Sequence, residues 1–189
     1  MKSKELTSIK QVRLNTILDE ATKCLIEKPS ASMHEIAESA GIGIATLHRY
    51  VESREQLMIH LGFRAIEVVR ETINEITLDE ENYETYIPDL IQALIPLGDK
   101  LYFLNHDVSV HLNKEIEDED KKLREPIMRA ISLLQQKGQF RENVDTNWIV
   151  DVLYSLVFLT WQQVVEGNIA RNSAADLLVD TFCHGFKKH

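Results

Sequence analysis

Apolar residues recur along this chain at three- and four-residue steps, the spacing of one face of a helix. Leu14, Ile17, Leu18, Ala21, Cys24 and Leu25 mark an amphipathic helix from about Leu6 to Glu27. Lys28-Pro29-Ser30-Ala31 breaks it. Ser32-Met33-His34-Glu35 has the form of a capping box, so a second helix starts at Ser32, with Ile36, Ala37 and Ala40 on its apolar face and Gly41 as its stop. Gly43 serves as N-cap of a third helix, and Ile42 with Leu47 is placed as a hydrophobic staple. Ser53-Arg54-Glu55-Gln56 offers another capping box, for a long helix running to about Thr77 through Leu57, Leu61, Phe63, Ile66, Val69 and Ile73.

Beyond it, Leu78-Asp79-Glu80-Glu81-Asn82 reads as a solvated acidic connector. Tyr83–Leu104 is helical in pattern, with Pro88 and Pro96 predicting a break near Ile95-Pro96 and hence two helices. After Asn105–Asn113 comes the charge-dense KEIEDEDKKLRE, read as a solvated helix face, and a helix to about Gln136 that Pro126 starts or kinks. Thr146–Glu166 is the most apolar stretch, with Ile149, Val152, Leu153, Leu156, Val157, Thr160, Trp161, Val164 and Val165 in one wide stripe; Ser173–Phe186 repeats the theme. Each of these two helices is too apolar for a surface facing water, so they are expected to pair with their copies across a two-fold axis as a four-helix bundle, making a homodimer. Period-two alternation is absent, and the expected fold class is all-α with about nine helices.

Composition narrows this further. With 189 residues, 44% hydrophobic and only 7 Gly and 4 Pro, the chain reads as globular. There is no run of 18 apolar residues, and the charged Met1–Lys10 is unlike a signal peptide, so a cytoplasmic protein with no membrane partner is expected. Cys24 and Cys183 read as isolated buried thiols. The net charge of −9 is unevenly spread: residues 1–60 hold eight Lys/Arg and eight Asp/Glu, which leaves thirteen against twenty-two for residues 61–189. Lys2, Lys4, Lys10 and Arg13 against Glu5 alone make Met1–Arg13 suitable as an arm near phosphates, or simply a solvated tail.

Two short helices joined by a three- to four-residue turn containing Gly form a helix-turn-helix, whose second helix enters the DNA major groove. On that helix Ile42, Leu47 and Val51 point inward. Ser32, Met33 and His34 would meet the DNA backbone, and Ile44, Ala45 and Arg49 the base edges, the small Ala45 and the N-cap Gly43 allowing close approach. Thr46, His48, Tyr50 and Arg54 would hold phosphates; Arg54 opposes its own helix dipole, a cost that a bound phosphate removes.

The segment AGIGIATLHRYVESREQL, Ala40 to Leu57, closely resembles the recognition segment of the tetracycline-repressor (TetR) family, roughly A-G-V-S-x-G-T-L-Y-x-H-F-x-S-K-E-x-L. Gly41, Thr46, Leu47, Ser53, Glu55 and Leu57 agree. Gly43 stands for Ser, Ala45 for Gly, His48 for Tyr, Val51 for Phe and Arg54 for Lys. The resemblance implies a helix-turn-helix DNA-binding head over residues 1–55 and a ligand-binding and dimerisation body over 56–189. It implies a dimer that binds a palindromic operator on double-stranded DNA, a repressor released by a small-molecule inducer.

Hydrolase, nucleotide-loop and zinc signatures are missing: there is no Gly-x-Ser-x-Gly, P-loop, Cys-x-x-Cys or completed His-Glu-x-x-His, since Ala37-Glu38 does not finish His34-Glu35. His106, Asp107 and His111 are poorly spaced for a metal and read as loop or pocket residues, so no metal, cofactor or enzymatic role is expected. If the body is like the family's, Tyr86, Leu90, Phe103, His106, Trp148, Tyr154, Phe158 and Trp161 are candidates to line the effector site, each equally able to serve as core. Aromatics with scattered carboxylates suit a planar or cationic lipophilic molecule. Two other readings stay open, a protein of this fold that binds protein partners instead of DNA, and a small helical enzyme.

Overall fold

Residues 2–78, 83–98 and 108–186 are described by the computed structural model, and among them nine α-helices and two 3-10 turns are joined without a strand. The first part holds α1 (Lys2–Glu27), α2 (Met33–Ser39), α3 (Ile44–Leu47) and α4 (Arg54–Glu75). The second holds α5 (Tyr86–Leu94), α6 (Val108–His111), α7 (Lys114–Gln136), α8 (Thr146–Val165) and α9 (Arg171–Phe186). The expected all-α class is the observed one. Residues 79–82 and 99–107, and with them most of the acidic connector, Phe103 and His106, lie outside the described residues.

Helix α1 begins at Lys2, earlier than the apolar periodicity indicates, so the basic N-terminal stretch continues the helix instead of forming a separate arm. Pro88 falls in the first turn of α5, where a missing N–H costs nothing, while Pro96 ends the regular helix at Leu94 and tightens the chain into a 3-10 turn over Ile95–Leu97. Pro126 does not start a separate helix, because α7 runs unbroken from Lys114 to Gln136. Asn113 caps its start by accepting from the Ile116 N–H at 3.1 Å. Ile116 and Leu123 before the proline and Ile127, Ala130, Ile131 and Leu134 after it form one buried stripe, and that packing outweighs the single backbone hydrogen bond lost. The charge-dense stretch is the outer face of this helix's first half, with Lys121 paired to Glu117 and Lys122 to Glu119.

One apolar core runs the length of the described chain. Helix α4 supplies Leu57, Met58, Leu61, Ala65, Ile66, Val69 and Ile73 to it, packing on α1 at one end and on α5, α6 and α7 at the other. Between α7 and α8 the buried Gln135 donates to the Arg141 and Val144 carbonyls and accepts from the Thr146 hydroxyl, fixing the turn. Phe140, Phe182 and Phe186 close that turn onto α9 with ring centres 5.2 to 6.3 Å apart. Cys24 and Cys183 are half-buried and form no disulfide. Helix α8 has the length and apolar content of a membrane span, but it packs against α7 and α9 in this core.

Two glycines carry different constraints. Gly41 sits at φ +65° with open space around it, so alanine there pays only for left-handed backbone. Gly98 lies under the Trp161 indole, and a methyl group added to it would fall 1.3 Å from Trp161 Cδ1. Thermal denaturation is expected to show Gly41→Ala destabilised by about 1–2 kcal/mol and Gly98→Ala by about 1–3 kcal/mol or more, the cost of overpacking. Equal melting of Gly98→Ala and the parent would mean that Trp161 is not held against this backbone.

Candidate nucleic-acid interface

The turn between α2 and α3 is set by local chemistry. Ser32 accepts from the Glu35 N–H at 3.3 Å while Glu35 accepts from the Ser32 N–H at 2.7 Å, the predicted reciprocal cap. At the other end the Gly41 N–H reaches the Glu38 carbonyl and the Ile42 N–H the Ala37 carbonyl, each at 2.9 Å, the paired bonds of a Schellman stop around a left-handed glycine. Gly43 then opens α3 in extended conformation with no side-chain cap. Leu47 and Val51 are fully buried, so the register of α3 against the core is fixed and its opposite side is presented outward.

Ser32, His34, Gly43, Ala45, His48 and Arg49 are exposed. Met33, Ile44, Thr46 and Tyr50 are half-buried, and Met33, Ile44 and Tyr50 pack against the core. Ile44 is therefore partly a structural residue, which accounts for an apolar side chain in this helix. Arg54 departs from the expectation. Its guanidinium donates from Nη1 to the Ala31 carbonyl and from Nη2 to the Pro29 carbonyl at 2.8 Å, so its fork ties the turn after α1 to the start of α4, a structural role that the sequence reading did not assign it. Ser53 caps α4 as expected by accepting from the Gln56 N–H, but Gln56 returns its bond to the Glu52 N–H, one residue before the N-cap.

Lys28 was not singled out in the sequence, because it stands seven residues before Glu35 across an irregular turn. Its Nζ lies 2.5 Å from Glu35 Oε1. That bond, with those from the Ser32 backbone and hydroxyl, holds the Glu35 carboxyl down at about 2. Two further pairs missed for the same reason join α4 to its neighbours, Arg64 to Asp19 of α1 at 3.6 Å and Arg70 to Glu119 of α7.

The body contains a small apolar cavity of about 20 Å³ lined by Val69, Leu94, Ile127, Leu153, Tyr154, Val157 and Phe158, from α4, α5, α7 and α8. Of the candidate effector residues, Tyr154 and Phe158 line it. Tyr86 and Leu90 are buried in the adjoining core, and Trp161 packs on Gly98. Trp148 does not belong there: it is 61% exposed on the first turn of α8. Trp148 and Trp161 are thirteen residues apart, about 220° around a helix of 3.6 residues per turn, so they point to different sides. A wider groove of about 460 Å³ opens at the surface between α5, α7 and α9, beside Ile87, Phe140, Asp176 and Asp180.

Because the folded Glu35 has a depressed pKa, the cap's contribution to the head is complete above the ordinary carboxylate range and is lost as pH falls toward 2. A carboxyl-carbon NMR titration is expected to place Glu35 near 2 and to move it upward in Lys28→Ala. An unshifted Glu35 in that variant would show that the helix cap alone sets the value.

Residues 17–61, from within α1 to within α4, match the bacterial regulatory proteins of the tetR family. Over 166 residues, 85% of this chain and 87% of its relative, the sequence is 25% identical to the HTH-type transcriptional regulator NfxB of Pseudomonas aeruginosa. The fold matches the TetR-like transcriptional regulator LfrR from Mycobacterium smegmatis in complex with proflavine, at a TM-score of 0.77 and 21% identity, covering 94% of this chain and 99% of that one. It also matches AibR in complex with isovaleryl coenzyme A and operator DNA, at a TM-score of 0.71 and 19% identity over 89% of this chain and 97% of that one. The capped α2, the glycine stop and the outward face of α3 all fall inside residues 17–61, so the head carries the features of the bacterial regulatory proteins of the tetR family, and the fold of the TetR-like neighbours continues through the body.

Proposed function

We propose that this protein is a ligand-responsive transcriptional repressor of the cytoplasm, which binds a palindromic operator as a homodimer and leaves it when a small molecule enters the body. The observation that supports this most is the outward face of α3, where Ala45, His48 and Arg49 stand exposed on a helix locked by Leu47 and Val51. Arg49 has the reach and forked donors to read a guanine edge, Ala45 allows close approach, and Ser32 and His34 lie where the DNA backbone would pass. Thr46 and His48 supply phosphate contacts. The acidic charge sits outside the head, where it does not oppose the duplex. Half-burial of Ile44 removes the main reason to read the head as a protein-binding surface.

Dimerisation is supported by the faces that α8 and α9 leave uncovered. Trp148 and Leu159 fall on one side of α8, at 61% and 51% exposure, and Leu177 of α9 is 48% exposed. A second copy laid across these helices would cover them.

Release follows from the size of the cavity. At about 20 Å³ it holds little more than one water, so an effector enters only by moving its walls. One wall is Val69 of α4, whose N-terminus lies in the head fifteen residues away, about 22 Å along the helix at 1.5 Å per residue. A small displacement at Val69 swings the head, and an effector that prefers the displaced arrangement lowers the dimer's fit to two half-sites.

Retention of sheared genomic DNA by the purified protein, followed by sequencing, is expected to enrich one palindromic site. Arg49→Ala is expected to reduce discrimination at one base position by about 1–3 kcal/mol; unchanged preference at every position would falsify the base-reading role. Trp148→Ala with Leu159→Arg is expected to give a monomer of the 21.8 kDa chain by light scattering and to lose operator binding. A dimer that survives both changes would move the interface elsewhere.

A further inference from the structure

Arg124 of α7 lies one turn before Ile127, a wall of the cavity, and its guanidinium covers the ring of Tyr154, another wall, 4.5 Å from the ring centre. Its Nε donates to Asp120 at 2.9 Å and its Nη1 to Asp151 of α8. One cation thus answers two carboxylates and an aromatic face, a sum of one negative charge over these three ionised groups, with the Arg129 guanidinium acting from farther off on the neighbouring Tyr86. The side chains differ in exposure, Asp120 at 27% and Asp151 at 57%. Beside them the Tyr86 hydroxyl is buried without a hydrogen-bond partner among the described residues, in a side chain 2% exposed. It lies close enough to Tyr154 that the two phenols interact electrostatically. An unsatisfied buried donor next to a cavity that is otherwise apolar is a place for a ligand's polar atom.

We infer that this cluster is the charge-reading end of the effector cavity and that it takes a lipophilic monocation, an inference that rests on the effector reading above. Arg124 occupies the position of the ligand's cationic group. On binding, that group takes over the Tyr154 face and the Asp120 carboxylate, while the apolar part of the ligand fills the space between Val69, Leu94, Val157 and Phe158. The released guanidinium stays paired with the outer Asp151 and turns toward solvent. An anion finds no such exchange: it would approach two carboxylates, and drawing Arg124 to itself would leave both unpaired. Asp120 also neighbours Glu119, the partner of Arg70 on α4, so an exchange of cations on α7 occurs next to the ion pair that ties α7 to the lever.

Tetraphenylphosphonium and tetraphenylborate share shape and apolar surface and differ in charge sign, so the work of opening the cavity is common to both. Titration of the full-length protein, followed by tryptophan fluorescence and calorimetry, is expected to show the phosphonium bound at least tenfold more tightly than the borate. Asp120→Asn is expected to weaken the phosphonium at least fivefold without weakening the borate. Arg124→Met, which removes the resident cation and keeps an apolar stem, is expected to strengthen the phosphonium severalfold, with thermal melting of each variant confirming that it folds. Borate bound as tightly as phosphonium, or phosphonium weakened by Arg124→Met, overturns the cation assignment and leaves the effector cavity standing, provided that binding is lost in the cavity-filling Val157→Trp. Failure of both ions to bind or to release operator DNA overturns the cation assignment and the effector cavity together.

Discussion

The fold depends on one helix being buried twice. Helices α1 to α3 are too few to enclose a core that would hold them alone, and they become stable by sharing the stripe that α4 carries from Leu57 to Ile73. The same helix is a wall of the body. Gly62 brings its backbone against Val110 and Ile116, and two residues on Arg64 reaches back to Asp19 of α1. Head and body therefore meet on opposite sides of the same two turns. No flexible linker separates them, so strain imposed on one is felt by the other.

What the sequence reveals and what it conceals divide along the range of the interactions. The Ser32–Glu35 cap, the Gly41 stop and the burial of Leu47 are settled within a few residues, and the chain spells them out. Arg54 shows the opposite. As the second residue of a capping box with a positive charge opposed to the helix dipole, it looks like a phosphate contact, and what the sequence hides is that the carbonyls of Pro29 and Ala31, more than twenty residues earlier, each take one of its donors. Nothing local announces that the turn after α1 folds back over α4. The place of Pro126 inside an unbroken helix has a similar origin: its intrinsic cost is local, but the packing of Leu123 and Ile127 that overrides it is tertiary.

For the cavity the lesson concerns helix phase. Tyr154, Phe158 and Trp161 follow the inward side of α8, and the first two line the small cavity. Trp148 has the same composition and the wrong phase. Its place beside the outward-facing Leu159 makes it part of an exposed apolar face of α8.

The pairs Arg64–Asp19 and Arg70–Glu119 have a consequence for how the protein responds to its surroundings. Both are partly exposed, so dissolved ions screen them, and near 0.1 M the screening length is about 10 Å. They hold α4 to the head on one side and to α7 on the other. In the proposed repressor, ionic strength would therefore act at two points in the same molecule, on the attraction between head and duplex and on the stiffness with which movement at the cavity reaches the head. Under that reading a concentrated solution would lower affinity for DNA and at the same time blunt the effector's leverage. The two effects would pull in opposite directions on occupancy in the presence of an inducer and so buffer the proposed switch against changes in salt.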